Sequence, residues 1–385
     1  MFAKSSSAPY VCARCLTRQR RRLYSSSISA PAPPPPSGAA KLTNRRLISL
    51  HGEEAQKFLQ GLITNNVHLE SRAGFYAAFL TAPGKVLHDV FVYPTLGSTW
   101  HKDVNKSDEQ GFLVEADADE VEALLKHIKK HKLRAKFKLR LLEQGELDVW
   151  SAWKEDERWT AHTQGSFDDG TLGLTDCRAP GMGRRLLLPP SNQHGTSSEL
   201  EADEAPLTSY TIRRYMRGVP EGQKEIPRDD SLPMNCNIDI MGGIDFKKGC
   251  YLGQELTIRT HHTGVVRRRV LPVALYPQGG QPPEKLQYEP DVTMADVEGG
   301  TEIRRDDKRK RSTGKLIGNV GNIGLGMCRL EQMSDLIVSG EGSSFTPEDR
   351  FSVQGHNGEE LGVKAFVPDW IRGRLRAPKI QRRVE

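Results

Sequence analysis

The chain has 385 residues, of which 55 are Lys or Arg and 49 are Asp or Glu, so its formal net charge is +6. That length suffices for two or three packed units. The sequence contains no run of about 18 apolar residues, so it predicts no membrane-spanning helix. Residues 1–40 contain six of the basic residues and no acid, which leaves 49 basic and 49 acidic residues in the rest. A neutral remainder lacks the basic surface typical of nucleic-acid binding, so we expect neither a membrane nor a nucleic acid as partner.

The acid-free N-terminal segment is rich in Arg and Ser, a composition typical of mitochondrial transit peptides. We predict a transit peptide over residues 1–24, cleaved after Tyr24 within "RRLYSSS"; a disordered tail is the alternative. The pair Cys12-x-x-Cys15 lies inside this segment and lacks a second ligand pair, so we do not interpret it as a metal or redox site. Residues 25–40 form a predicted Pro/Ala-rich linker.

The region 41–265 mixes helices with antiparallel strands. Apolar residues recur at helical spacing in three segments, which predict amphipathic helices: 55–62, 121–128 and 208–218. "YAAFL" (76–80) and "VLHDVFVY" (86–93) predict a β-hairpin closed by "TAPGK". "RAKFKLRL" (134–141) alternates strictly, which is typical of a half-buried strand.

The region 266–385 is dominated by short strands with Gly-rich turns, such as "VLPVAL" and "LGVKAFVP", and predicts a small β-barrel or sandwich. A hydrophilic insertion at 277–312 interrupts it. Its basic run "RRDDKRKR" (304–311) favours a solvated loop over a nucleic-acid patch. "GNVGNIGLG" (318–326) precedes no helix, so its glycines indicate turns and packing and not a dinucleotide site. The whole pattern predicts the α+β class.

The stretch "FKKGCYLGQELTIRTHH" (246–262) places Cys250 directly after two lysines. Positive charge next to a thiol lowers its pKa, and a helix beginning near Leu252 would favour the thiolate further. Gly249 and Gly253 allow the backbone to bend. We therefore predict a reactive, partly exposed Cys250; a buried, inert thiol is the alternative. The six cysteines are too few and too scattered for a disulfide scaffold.

Other chemistries for Cys250 find less support in the sequence. A cysteine nucleophile needs a histidine base, and no local signature joins His261 or His262 to the thiol. A zinc site built from these histidines with Cys236 and Cys250 lacks a complete ligand spacing. No second cysteine lies near enough in sequence to predict a resolving thiol for an oxidoreductase.

The run "KGCYLGQE" (248–255) resembles the signature of the YgfZ-like family, which comprises folate-binding iron–sulfur cluster assembly factors related to the glycine cleavage aminomethyltransferase (T protein). Five further stretches occur in the family's order: "FLQGLITNNV", "YAAFLTAPGKVLHDVFVY", "DCRAPGMGRRLL", "IRRYMRGVPEG" and "VPDW". With its transit-like head, the chain is most similar to the mitochondrial branch, which matures 4Fe–4S proteins beside A-type carriers.

The resemblance implies a three-lobed ring of the aminomethyltransferase (GcvT-like) type, with two α+β lobes and a C-terminal β-barrel around a folate-sized channel. It implies tetrahydrofolate as cofactor, with Tyr76 and Asp89 at positions where the transferases contact folate. Two departures from the transferases stand out: His88 replaces the first acid of their Asp-Asp pair, and Met216 replaces a pterin-binding Glu. The transferases in turn lack the Lys-Gly-Cys sequence.

These observations predict a mitochondrial matrix assembly factor that acts through the Cys250 thiolate, which would share an iron–sulfur cluster transiently with an A-type carrier. Thiolate is a preferred ligand of such clusters. The predicted site comprises Cys250 and its motif neighbours: Lys248, Gly249, Tyr251, Gly253, Gln254, Glu255 and Arg259. Arg259 follows Glu255 by one helical turn and predicts an ion pair. The alternatives are a folate-dependent aminomethyltransferase and a thiol oxidoreductase.

Overall fold

The computed structural model describes residues 30–68, 73–104, 109–155, 170–190, 200, 202–292, 294–307, 309–339, 342–356 and 358–375. The predicted transit peptide and the Cys12–Cys15 pair lie outside these ranges. Within them, no helix is both long and apolar enough to cross a bilayer.

Fifteen strands form two sheets and a barrel in the described residues. In chain order they are β1 Ser37–Lys41, β2 Arg45–His51, β3 Phe75–Leu80, β4 Val86–Pro94, β5 Gly111–Asp117, β6 Lys138–Leu141, β7 Asp148–Lys154, β8 Leu172–Thr175, β9 Arg184–Leu188, β10 Arg268–Pro277, β11 Glu302–Arg305, β12 Ser312–Val320, β13 Ile323–Arg329, β14 Phe351–Gln354 and β15 Glu360–Ala365. The helices are α1 Ala55–Gln60, α2 Thr99–Val104, α3 Val121–Lys132, α4 Leu207–Arg217, α5 Gln254–Thr263, α6 Leu330–Met333 and α7 Asp369–Arg374.

The first sheet has the order β3-β4-β5-β2-β6 and is antiparallel throughout. The predicted hairpin is confirmed, with Tyr76 opposite Phe91 and Ala78 opposite Asp89. Apolar residues of α1 and α3 cover one face of this sheet. The strand predicted over 134–141 begins only at Lys138, at the sheet edge beside β2, although Phe137 is buried.

The second sheet has the order β1-β7-β9-β8 and faces the first across a shared apolar core. The linker predicted over residues 25–40 needs correction at its end, because residues 37–41 form the edge strand β1. This strand pairs with β7 from Ser37↔Lys154 to Lys41↔Trp150. The prolines before it are also bound: the carbonyl of Pro35 accepts a hydrogen bond from the Trp153 indole at 2.9 Å. The Pro/Ala composition predicted an unpacked chain. It could not show this packing, because the partners lie more than one hundred residues away in sequence.

The C-terminal strands close into a six-stranded barrel of order β10-β13-β12-β11-β14-β15, which confirms the predicted barrel. The predicted insertion 277–312 needs correction, because β11 lies inside it and completes the barrel between β12 and β14. Tyr288 and Val297 of the same segment are buried. The basic run 304–311 spans the β11–β12 turn, where Arg309 and Arg311 are exposed.

Helix α4 joins the barrel to the two-sheet body. Tyr210 packs in the core between the sheets, whereas Ile212 and Tyr215 pack against barrel residues, with Met216 beside them. The helix ends at Gly218, whose φ of 71° is left-handed and suits glycine. The side chain of Met216, where the transferases carry a pterin-binding Glu, therefore packs in the apolar cluster between α4 and the barrel.

Candidate functional site

The cysteine motif forms a loop followed by α5, which begins at Gln254. Cys250 is solvent exposed, while the next residue, Tyr251, is 5% exposed and packs in the core between the two sheets. The motif therefore points its cysteine outward and its tyrosine inward. The predicted partial exposure of Cys250 agrees with this geometry.

The Lys248 side chain bonds to the main chain of a segment far from it in sequence. Its ammonium donates hydrogen bonds to the carbonyls of Gln60, Ile63 and Asn65 at 2.8, 2.7 and 2.9 Å. Burial lowers the pKa of Lys248 to about 8, and three carbonyl acceptors favour the charged form. All three contacts are to the main chain of an earlier segment, and the predicted effect of this charge on the thiol stays a prediction.

The motif also packs against the turn of the β3–β4 hairpin. Gly253 has a φ of 78°, and a Cβ added there would lie 2.1 Å from the carbonyl oxygen of Thr81. Gly84 on the opposing turn has a φ of 84°, and its added Cβ would lie 3.0 Å from the Gly253 carbonyl oxygen. Two glycines thus permit a backbone-to-backbone contact that no side chain could enter.

The remaining motif residues shape the loop or face solvent. The Gln254 side-chain oxygen accepts a hydrogen bond from the Tyr251 amide at 3.3 Å. Glu255 and Arg259 are both exposed on α5, and their ion pair stays a prediction. His261 stacks on Phe246, with ring centroids 3.4 Å apart.

Cys250 is the exposed one among the four cysteines that the structure describes. Burial raises the pKa of the Cys177 thiol to about 11 and those of Cys236 and Cys328 to about 12. Since thiolates are the nucleophiles and ligands, these three are poorly suited to metal chemistry. Across the described ranges, no group of three or more His, Cys, Asp or Glu side chains is arranged to hold a metal ion.

A second polar site lies between the two sheets, and sequence reasoning found only part of it. Its charged members are fully or almost fully buried: Arg45, Asp89, Glu115, Asp176, Arg178, Arg185 and Glu221. Arg185 donates to Glu115 at 2.8 Å and to Glu221 at 3.1 Å, and Arg45 donates to Glu115 at 2.7 Å. Charged residues inside otherwise apolar strands, as in "FLVEAD" and "RRLLL", were the signal that could have revealed it.

Asp89 and Tyr76 both belong to this buried polar site. The Asp89 carboxylate accepts hydrogen bonds from the Gly222 amide at 3.1 Å and the Gln223 side chain at 3.3 Å. Burial raises the pKa of Asp89 despite the nearby Arg45 guanidinium. Burial likewise raises the pKa of Tyr76, whose ring lies 5.4 Å from the Arg178 guanidinium carbon.

His88 lies on the opposite face of β4 from Asp89, because successive strand residues alternate. Burial lowers the pKa of His88 to about 3, so the imidazole is neutral. The two positions therefore do not form a pair of groups on one ligand.

Several polar atoms of the buried polar site have no hydrogen-bond partner among the described residues: Arg45 Nη1, Tyr76 OH, Asp89 Oδ2 and Glu221 Oε1. Arg45 Nη1 lies 3.6 Å from Asp89 Oδ2, which is too long for a hydrogen bond. The Tyr251 hydroxyl is buried and unpartnered in the same sense. Unpaired buried polar groups are costly, so this set is the part of the core best equipped to receive a polar ligand or water.

The chain is similar to known proteins in its C-terminal domain, in its overall fold and in its sequence. A family model described as "CAF17, C-terminal beta-barrel domain" matches residues 267–373. Among solved structures, the glycine cleavage system aminomethyltransferase T from Bartonella henselae matches with a TM-score of 0.58 at 13% identity, covering 89% of this chain and 88% of that chain. That likeness confirms the predicted α+β fold of the aminomethyltransferase type.

Three curated relatives match over almost the full length, and each is named iron–sulfur cluster assembly factor IBA57 homolog, mitochondrial. The protein from Pyricularia oryzae is 47% identical, covering 96% of this chain and 93% of the relative. Those from Aspergillus fumigatus and Neurospora crassa are 43% and 41% identical, covering 95% and 98% of this chain and 90% and 92% of the relatives. The chain therefore belongs to the IBA57 family of mitochondrial iron–sulfur cluster assembly factors, and its role lies in mitochondrial iron–sulfur cluster assembly.

Proposed function

We propose that the protein acts in cluster maturation through the Cys250 thiolate, which becomes one ligand of an iron–sulfur cluster shared with an A-type carrier. The observation that supports this most directly is the exposed Cys250 on a loop whose flanks are bound to the protein core. One cysteine cannot enclose a cluster, so the carrier supplies the other ligands.

The chemical step is a ligand exchange at iron. Cys250 loses its proton and its sulfur forms a bond to a cluster iron, while one carrier thiolate leaves that iron and takes up a proton. No electron is transferred, and the number of iron–sulfur bonds is unchanged. Exchange of this kind requires an accessible sulfur, and Cys250 is exposed.

The test mixes the purified protein with a cluster-loaded A-type carrier and a 4Fe–4S apoprotein, comparing wild type with Cys250→Ser. We expect Cys250→Ser to abolish the protein's stimulation of cluster transfer and to change stability by less than about 0.5 kcal/mol, because the side chain is exposed. Cys177→Ser is the matched control and should retain stimulation. Full stimulation by Cys250→Ser would refute the proposal.

A second proposal concerns a reduced folate at the buried polar site. The unpartnered atoms of Tyr76, Asp89 and Glu221 offer the donors and acceptors that a pterin edge requires. Met216 faces the barrel, so in this proposal Glu221 supplies the carboxylate that the transferases carry at the Met216 position. Because these side chains are closed off from solvent, binding requires the neighbouring side chains to move apart.

Tetrahydrofolate binding should raise the melting temperature through its affinity for the native state. Asp89→Asn and Glu221→Gln should each reduce that increase, measured at saturating folate against each variant's own unliganded value. If both variants show the same increase in melting temperature as wild type, folate does not bind at this site. Folate that binds without any transfer of an aminomethyl group would also separate this protein from the transferases.

The leader is a third element of the proposed function. We expect protein isolated from mitochondria to lack residues 1–24 and to begin near Ser25, which N-terminal sequencing would show. An intact Met1 on the active protein would contradict the transit peptide.

A further inference from the structure

We propose that Lys248 is a positioning residue for Cys250: its ammonium fastens the loop that carries the thiol, and it does not act on the sulfur as a neighbouring charge. This rests on the proposed function only in taking Cys250 as the reactive group.

The ammonium and its acceptors match in number. A lysine carries three N–H donors, and the Lys248 ammonium has one carbonyl at 2.7–2.9 Å for each, from Gln60, Ile63 and Asn65. Its nitrogen also lies 4.9 Å from the centre of the Tyr251 ring. The charge is thus enclosed by main-chain oxygens and an aromatic face.

The receiving segment is the end of α1 and the turn that follows it. The last carbonyls of a helix have no partner within the helix and carry partial negative charge. The Lys248 ammonium satisfies the Gln60 carbonyl of this last turn and the Ile63 and Asn65 carbonyls beyond it, which together with the charge of Asp245 stabilises a half-buried cation. "FLQGLITNN" and "KGCYLGQE" therefore build one structural unit although they lie about 190 residues apart.

Other hydrogen bonds hold the motif to the same turn on both sides of Cys250. Before it, the Thr64 hydroxyl donates to the Gly243 carbonyl at 2.6 Å and the Asp245 amide donates to the Thr64 carbonyl at 3.1 Å. After it, the Leu252 amide donates to the Gly61 carbonyl at 3.0 Å. Lys248 is the last of these anchors before Cys250, so its loss should free the segment that carries the thiol.

The two roles of Lys248 predict different effects on the thiol. A charge acting on the sulfur sets the pH at which Cys250 becomes thiolate, and removing it raises that pH. An anchor sets the position of the loop, and removing it leaves that pH unchanged. The midpoint of the Cys250 alkylation rate against pH therefore separates them.

The experiment compares Lys248→Met, Lys248→Arg and the exposed neighbour Lys247→Met with wild type. Arginine keeps the charge, but its planar fork cannot place one donor on each of three carbonyls. We expect both Lys248 variants to exchange the Leu252 amide hydrogen about tenfold faster or more, with an unchanged alkylation midpoint and slower cluster transfer from the carrier. Lys247→Met should exchange as wild type does.

Two outcomes would overturn the proposal. In the first, Lys248→Met raises the alkylation midpoint by about half a pH unit or more while Lys248→Arg restores it and amide exchange stays as in wild type. In the second, neither Lys248 variant changes amide exchange. Amide exchange and alkylation are measured without a carrier, so they test the anchor independently. If Cys250→Ser leaves cluster transfer unchanged, the proposed function is refuted, but the anchor role of Lys248 is not.

Discussion

Replacing Gly253 by alanine tests whether the motif loop depends on close contact with the β3–β4 turn. Gly253 has a left-handed φ of 78°, a conformation that costs an alanine about 1 kcal/mol relative to glycine. The added Cβ would also lie 2.1 Å from the Thr81 carbonyl oxygen and 3.0 Å from the Leu80 Cβ. A main-chain oxygen cannot rotate away, so the loop and the hairpin turn must separate.

The magnitude follows from these two contributions. Relieving a steric overlap in a packed region costs about 1–3 kcal/mol, so Gly253→Ala should destabilise the protein by about 2–4 kcal/mol in total. Gly249→Ala is the matched control within the same motif, because no atom lies within 4 Å of its added Cβ. It should change the free energy of unfolding by less than about 0.5 kcal/mol.

Urea denaturation of both variants measures the difference directly. With unchanged slopes, the shift in midpoint reports the change in stability. Gly253→Ala should in addition increase the rate of Leu252 amide exchange, because that amide bonds to Gly61 on the adjoining turn. Equal midpoints for the two variants, or a larger loss for Gly249→Ala, would refute the described packing of the motif.

Two further predictions concern the interior. Burial lowers the pKa of His51 to about 4 and that of His88 to about 3, whereas the same histidines in the unfolded chain bind protons below about pH 6.5. Lowering the pH from 7 to 5 should therefore reduce the free energy of unfolding by about 2 kcal/mol for each histidine. The raised pKa of Asp89 partly opposes this loss. Equal unfolding free energies near pH 7 and pH 5 would contradict this. Arg185→Met should cost about 3–5 kcal/mol, because it removes one of the two cationic partners from each of the buried carboxylates Glu115 and Glu221. Arg140→Met at an exposed pair should cost less than about 1 kcal/mol. Similar denaturation midpoints for the two variants would refute the buried role of Arg185.

Features determined by neighbouring residues could be predicted from the sequence. The β3–β4 hairpin follows from alternation around "TAPGK", and the amphipathic helix α3 follows from the spacing of Val121, Leu124, Leu125 and Ile128, which are all buried. The barrel strands other than β11 were predictable for the same reason. Short-range periodicity carries this information because it records which face of an element is buried.

Features that depend on distant partners could not be predicted in the same way. Ser37–Lys41 became a strand only because β7 pairs with it, and β11 was hidden within a hydrophilic segment because its neighbours in the barrel are β12 and β14. The buried polar site joins Arg185 of the second sheet to Glu115 of the first sheet and to Glu221 of the loop after α4. Spacing along the chain does not encode such pairs.

Lys248 shows how the same limitation affected the interpretation of the motif. Its position two residues before Cys250 suggested an effect on the thiol, but the direction of its side chain is determined by carbonyls 183–188 residues earlier. The exposure of Cys250, by contrast, agreed with the local glycines and charges. Sequence proximity could suggest which residues to group around Cys250, but it could not show that the Lys248 ammonium bonds to a distant turn.

The geometry of the loop suits a ligand that must bind one cluster and then release it. Lys248, Tyr251 and Gly253 hold the loop to the core, so little conformational entropy is lost when a partner engages it. Gly249 and Cys250 between them are exposed, and the open space around Gly249 lets another backbone approach the sulfur closely. A thiol enclosed by its own protein would bind a cluster without a route for exchange, and one on an unfastened loop would lose affinity to disorder. The anchored, exposed cysteine avoids both losses, so in the proposed function the anchors of the loop matter as much as the thiol.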